Sequence, residues 1–171
     1  MTTLRELVNL PPGWTLYLDL DGVLVDFDKS MIALGFPVGV TETDKKAKAK
    51  FWQTVGWMAK NGKPFWGNMD PMPDAFELWN YVKHYNPEIL SATGHVGNAT
   101  EEKHVWVKRH LGAVPTHLVR KSADKATFAG PGKILVDDRK KSIEPFVAAG
   151  GIGILHTSAA NTIAQLKELG L

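Results

Sequence analysis

The chain has 171 residues, 44% hydrophobic and 22% charged, with 20 basic and 18 acidic side chains and a formal charge of +2. These fractions are too apolar for a disordered chain and suit one compact domain with a small insertion, whose core needs no covalent staples. The absence of cysteine excludes disulfides, thiolate–metal sites and cysteine nucleophiles, and fits a reducing compartment. The charge is too small to argue for a nucleic-acid partner. No apolar run approaches the roughly 20 residues of a membrane helix, and Met1 to Leu10, carrying Arg5 and Glu6, lacks the apolar stretch of a secretory signal. The expectation is a soluble, cytoplasmic protein with neither a membrane nor a stable nucleic-acid partner.

Along the chain, short apolar runs alternate with helical patterns. Thr15 to Leu20 (TLYLDL) reads as the first strand, running into acidic residues. From Phe27 to Pro71 no strand pattern is found, yet the stretch holds Phe36, Phe51, Trp52, Trp57, Phe65 and Trp66, so a helical insertion is expected. Its basic run, Lys45 to Lys50, reads as a solvated helix face or, more sharply, as a positive rim that steers an anionic substrate. Pro73 to Tyr85 is a helix with Phe76, Leu78, Trp79 and Val82 as candidate buried positions. Glu88 to Ser91 is a short strand. The following helix takes Thr100 as N-cap, Glu101 and Glu102 in its first turn, Lys108, Arg109 and His110 in its last, and Gly112 as its stop. That charge order complements the helix dipole. His117 to Val119, Ile134 to Val136 and Ile152 to His156 are further strands; Ser142 can cap a helix through Ala149, and Thr162 to Leu169 forms a terminal helix. Short continuous apolar runs suit strands covered on both faces, so the fold expected is α/β, a doubly wound parallel sheet.

The chemistry is concentrated at two strand ends. Asp19-Leu20-Asp21-Gly22-Val23 closes the first strand, and Asp137-Asp138 closes the run from Ile134. In a parallel sheet both acid pairs converge on one crevice outside the carboxyl ends of the strands. Converging carboxylates repel one another unless a hard cation sits among them, and oxygen-only ligands favour magnesium. Against this stands the plain reading that acids end strands as turn formers, which serves for one pair better than for two.

The stretch DLDGVLVDF resembles the opening motif of the haloacid-dehalogenase (HAD) superfamily of phosphate-transfer enzymes, and in particular its 5'(3')-deoxyribonucleotidase branch. Other stations follow in order: Ile89-Leu90-Ser91 is similar to the second motif, a lysine before the fourth strand to the third, and ILVDDR from Ile134 to Arg139 to the fourth. The resemblance spans Thr15 to about Gly151. It implies a HAD-like Rossmannoid core from residues 1–26 and 72–171, with residues 27–71 as a small helical cap after the first strand.

Carried over residue by residue, the resemblance makes Asp19 the nucleophile that forms an aspartyl-phosphate, and Asp21 the acid and then base. It gives Mg²⁺ to the Asp19 carboxylate, the Asp21 carbonyl and Asp138, with Asp137 behind them. Ser91 and the Ala92 amide would hold the phosphate, and a lysine would neutralise charge on the transferring group. Lys125, preceded by Asp124, fits the nucleotidase pattern better than Lys121; Thr93 is the alternative to Ser91. Phe27 resembles the aromatic that packs beside the nucleobase, and Trp66 could serve similarly; the plain reading of both is insertion core. His95 and His104 read as surface or capping residues, Asp26 and Asp28 as polar positions on the first insertion helix.

The function expected is a Mg²⁺-dependent phosphomonoesterase acting on a small phosphorylated substrate, a nucleoside monophosphate being favoured. A phosphatase of another small phosphomonoester, such as a sugar phosphate, is the alternative, and a phosphomutase would share the first motif. A receiver-like signalling domain also clusters Asp, Ser or Thr, Lys and Mg²⁺. However, its lysine comes last in the chain, whereas here the lysine precedes the second acid pair. No glycine-rich phosphate loop for a nucleoside triphosphate is found.

Overall fold

A computed structural model describes residues 9–95 and 97–171. The expectation that Met1 to Leu10 is not a secretory signal falls, through residue 8, outside the described residues. Five strands, β1 (Thr15–Leu18), β2 (Glu88–Ala92), β3 (Thr116–Val119), β4 (Lys133–Asp137) and β5 (Ile152–Leu155), form one sheet in the order β3-β2-β1-β4-β5. Every pairing is parallel. The chain winds outward from β1 to β2 and β3 on one side, then returns to β4 and β5 on the other. The order therefore reverses between β1 and β4, where a doubly wound sheet opens its ligand crevice.

Among the described residues, seven α-helices accompany the strands: α1 (Phe27–Ala33), α2 (Val40–Thr43), α3 (Lys45–Lys60), α4 (Ala75–Val82), α5 (Ala99–His110), α6 (Lys140–Ala148) and α7 (Ala159–Glu168). Strand alternation divides the core between two faces. Leu16, Leu18, Ile134 and Val136 point into the larger cluster, with Leu78 and Val82 of α4, Trp106 of α5 and Leu166 of α7. Tyr17, Leu90 and Leu135 point the other way, against Phe146 of α6. Burial on both faces explains why these strands read as continuous apolar runs.

The stretch from Phe27 to Pro71 carries α1 to α3 joined by turns and irregular segments, and ends in an isolated bridge from Pro71 to Val25. Its buried residues, Met31, Val40, Phe51, Val55, Phe65 and Trp66, belong to the same cluster as the sheet's larger face, so the insert packs without a separate core. The lysine run lies on the exposed first turns of α3. Positive charge is unfavourable there, at the positive end of the helix dipole. Asp44 offsets it by accepting from the amides of Lys46 and Ala47 at 2.8 and 3.2 Å.

Several element ends differ from the sequence expectation. Helix α5 begins at Ala99, with Asn98 rather than Thr100 at the N-cap. Helix α6 begins at Lys140, so Ser142 lies inside its first turn and is buried instead of capping it. Ser158 caps α7 through its hydroxyl, which starts that helix at Ala159 and not Thr162. In α4 the buried stripe is Ala75, Leu78 and Val82, spaced i, i+3, i+7, which leaves Phe76 exposed.

Candidate active site

Register brings the two acid pairs together. Leu18 of β1 is paired with Val136 of β4, and the Asp19 amide donates to the Val136 carbonyl at 3.0 Å. Asp19 thus leaves the sheet beside Asp137, and carboxylate oxygens of Asp19, Asp137 and Asp138 lie within 4.8 Å of one another. The turn that follows β1 is tightened by Leu20, whose carbonyl accepts from the amides of Val23, Leu24 and Val25. Gly22 adopts a positive φ of 82° there, a conformation that costs an L side chain energy.

Of the two candidate lysines, the structure brings Lys125 to the carboxylates. Its ammonium is 3.0 Å from Asp19 Oδ1 and 2.5 Å from Asp137 Oδ2, and it is almost wholly buried. Burial alone would lower the lysine's pKa, but the charges of Asp19 and Asp137 outweigh it and the pKa lies above the ordinary value. The preceding residue explains the placement: Asp124 Oδ2 accepts from the Lys121 amide at 2.9 Å, opening the 3-10 helix Ser122–Phe128 that carries Lys125 inward. Lys121 stays exposed.

Asp137 and Asp138 differ in what occupies their oxygens. In Asp137, Oδ2 accepts from Lys125 and Oδ1 from the Arg139 amide at 2.9 Å. Burial, and then the charge of Asp19, raise its pKa. Asp138 is open to solvent on its outer side. Desolvation on its inner side, followed by the charges of Asp19 and Asp137, pushes its carboxyl up to about 8. Such an oxygen-only acidic cluster, with its outermost carboxylate short of positive charge, fits a hard divalent cation. Asp19 and Asp138 are the side chains best free to hold one. Arg139 turns outward and bonds Glu42 of α2 at 2.7 Å, tying the insert to the edge of the site.

Ser91 and Asp21 are joined by a residue absent from the sequence expectation. Lys103, on α5 and 1% exposed, donates from Nζ to Asp21 Oδ2 at 2.8 Å, Ser91 Oγ at 2.9 Å and the Ala92 carbonyl at 2.8 Å. Its polar surroundings in the sequence (TEEKHVWVKRH) suggest a solvated face. The discoverable signal is helical spacing: Ala99, Lys103, Trp106 and Val107 follow i, i+4, i+7, i+8, one buried stripe. The alternative to Ser91, Thr93, instead directs its hydroxyl to the Val119 carbonyl at 3.3 Å.

Phe27 is half-buried, with ring centroids 5.9 Å from Phe51, 6.3 Å from Trp52 and 5.8 Å from Phe65. Trp66 is buried and stacked on Trp52 at 6.2 Å and 20°. Glu102 holds the segment before it, accepting from the amides of Phe65 and Trp66 at 2.8 and 3.2 Å. His104 is exposed, and His95 accepts from Arg120 at the surface. Asp26 caps α1 and Asp28 stands exposed in its first turn.

Residues 14–167 match the family described as 5' nucleotidase, deoxy (pyrimidine), cytosolic type C protein. A haloacid dehalogenase-like hydrolase from Streptococcus pneumoniae is similar in structure with a TM-score of 0.57 at 15% identity, over 92% of this chain and 97% of that one. A HAD-superfamily hydrolase from Ehrlichia chaffeensis superposes with a TM-score of 0.52 at 11% identity, over 96% and 100%. At such identities these two share the fold. No curated protein sequence matches significantly. Among the described residues, no helix is long and apolar enough to cross a membrane.

Proposed function

The chain belongs to the family of cytosolic type C 5' (deoxy)nucleotidases, and on that premise we propose that it is a Mg²⁺-dependent phosphomonoesterase that hydrolyses deoxynucleoside monophosphates through an aspartyl-phosphate. The observation that carries the reading is Asp19 itself, buried at the carboxyl edge of the central strand with Oδ1 on Lys125 at 3.0 Å. That contact fixes the carboxylate and leaves its other oxygen to attack phosphorus in line.

In this reading the bond from Asp19 oxygen to phosphorus forms as the bond from phosphorus to the ester oxygen breaks. Asp21 gives that departing oxygen a proton, then takes one from the water that hydrolyses the aspartyl-phosphate. Lys125, held in turn by Asp137, balances negative charge on Asp19 and on the transferring group. Ser91 and the Ala92 amide would receive phosphate oxygens. The Asp19 carboxylate, the Asp21 carbonyl and Asp138 would hold Mg²⁺, whose charge lets a phosphate dianion approach this many carboxylates. Residues 27–71 act as a small cap in which the half-buried Phe27 meets the base, while Trp66, buried against Trp52, packs within the insert instead. The cysteine-free sequence suits action in the cytoplasm.

Turnover of a panel of phosphomonoesters, with Mg²⁺ and with EDTA, tests the proposal. Metal-dependent release of phosphate, fastest from deoxynucleoside monophosphates, is expected. Undiminished release after exhaustive chelation removes the metal, and sugar phosphates outperforming every nucleotide in kcat/KM removes the nucleotide preference while leaving a phosphatase.

A further inference from the structure

The buried ammonium of Lys103 is unused in the mechanism above, yet it touches two of the mechanism's groups. A buried lysine is costly unless its protons are accepted, and here three oxygens accept them: Asp21 Oδ2, Ser91 Oγ and the Ala92 carbonyl, all within 2.9 Å. These acceptors come from the turn after β1 and from the end of β2. The Trp66 ring of the insert lies 6.0 Å from the same Nζ. Lys103 therefore sits where the acid, the phosphate-binding strand end and the insert meet.

The contacts are selective at the level of single atoms. In Asp21 only Oδ2 is engaged; Oδ1 is buried and has no hydrogen-bond partner. The Asp21 side chain as a whole is 27% exposed, so the ammonium fixes a carboxylate that still reaches the crevice; the role given to it here rests on the reaction proposed above. At Ser91 the ammonium donates to Oγ, so the hydroxyl's own hydrogen is left to point elsewhere, toward an anionic oxygen. A neutral side chain of the same length would release both groups.

We infer that Lys103 is a positioning residue for catalysis: through Oδ2 it fixes the Asp21 carboxylate in place as the acid, and by donating to Ser91 Oγ it leaves the hydroxyl hydrogen to be given to phosphate. In the first step Asp21 loses its proton to the departing oxygen as the phosphorus–oxygen bond breaks, and Asp19 gains the phosphoryl group.

Because the clamp acts through the acid, its loss falls hardest on substrates that need one. Lys103→Met and Lys103→Arg are to be assayed with p-nitrophenyl phosphate, whose leaving group departs readily without a proton, and with an alkyl phosphate or nucleoside monophosphate, whose leaving group does not. For Lys103→Met, kcat/KM should fall about 10²- to 10⁴-fold with the poor leaving groups, the range of general acid catalysis, and about tenfold or less with p-nitrophenyl phosphate. Lys103→Arg, which keeps the charge and donors, should recover part of the loss. In an Asp21→Asn background, Lys103→Met should add little, since both changes disable one unit.

Equal loss on every substrate, or full additivity with Asp21→Asn, overturns the assignment. If Lys103→Met fails to melt cooperatively, the same leaving-group comparison in Lys103→Arg decides it. A wild-type chain inactive on every phosphomonoester with Mg²⁺ defeats the phosphatase reading itself, whereas an active one with no leaving-group effect defeats only the role of Lys103.

Discussion

Gly22 and Asp138 occupy adjoining space so closely that a β-carbon on the glycine would lie 2.1 Å from Asp138 Oδ2. The glycine also holds a φ of 82°. Gly22→Ala therefore meets two penalties at once: about 1–2 kcal/mol for the left-handed backbone, and a displaced Asp138 carboxylate. The expected result is a lower Tm together with weaker Mg²⁺ activation, read as a rise in the Mg²⁺ concentration for half-maximal activity. Activation unchanged by the alanine would show that Asp138 does not contribute to the ion's site.

Asp19→Asn should leave the fold intact and stop turnover. The amide is nearly isosteric, but it is a poor nucleophile and a weaker metal ligand, so kcat should fall about 10³-fold or more. Phosphate release by the purified variant, with deamidation checked by mass spectrometry, measures it. Wild-type rates would move the nucleophile away from Asp19.

Removing the ion should cost stability as well as activity. With its carboxyl raised from 3.8 to about 8, Asp138 keeps a proton in the folded chain that it gives up on unfolding. Stability of the metal-free protein therefore falls as pH rises from 3.8 toward about 8. In thermal melts at pH 8 with EDTA, Asp138→Asn should melt higher than the parent, because it removes a repelled charge. Mg²⁺ should raise the parent's Tm and leave the variant's nearly unmoved. Asp138→Ala should weaken Mg²⁺ activation more than Asp137→Ala, since both Asp137 oxygens already serve Lys125 and the Arg139 amide. The reverse order would exchange their roles.

His156 adds an opposite slope at acid pH. It is buried after β5, with Nδ1 2.7 Å from Thr162 Oγ1. Burial holds its pKa below the ordinary histidine value of 6.5. The unfolded chain binds the proton more readily, so this residue's contribution is complete above pH 6.5 and is lost as pH falls below it. With saturating Mg²⁺, denaturant midpoints of His156→Gln and parent should converge as pH drops from 7 to 5. A constant gap between them would place the acid sensitivity elsewhere.

The acid pairs were legible because each closes a run of apolar strand residues, and parallel pairing of neighbouring strands leaves only one edge for both. Lys125 is legible as the better of two candidates because Asp124 precedes it, and the cap made by Asp124 is the physical reason it turns inward while Lys121 does not. Lys103 is hidden in the sequence because its charge masks its position. A lysine among Glu, His and Arg reads as surface, although its spacing to Trp106 and Val107 places it on their buried stripe. In α4 the converse holds at one position: Leu78 and Val82 are buried as expected, but Phe76 is apolar and lies off the stripe of Ala75, Leu78 and Val82. In both helices periodicity outweighed residue type.

Phe27 separates substrate recognition from packing. Its ring contacts Phe51, Trp52 and Phe65 but is only half-buried, so part of it remains available beyond the insert's aromatic cluster. A base stacked on an aromatic ring is worth about 1–3 kcal/mol, roughly 5- to 150-fold in kcat/KM if the contact persists in the transition state. Phe27→Ala should therefore shrink the preference for a deoxynucleoside monophosphate over a simple sugar phosphate by a factor in that range. Turnover of p-nitrophenyl phosphate, which carries no nucleobase, should change far less. The two ratios, measured on one preparation with its Tm, are the decisive readout. A fall common to all substrates together with a lower Tm would assign Phe27 to the insert's core and move the base contact to another residue. An unchanged Tm with an unchanged preference would show that the half-exposed ring meets no base at all.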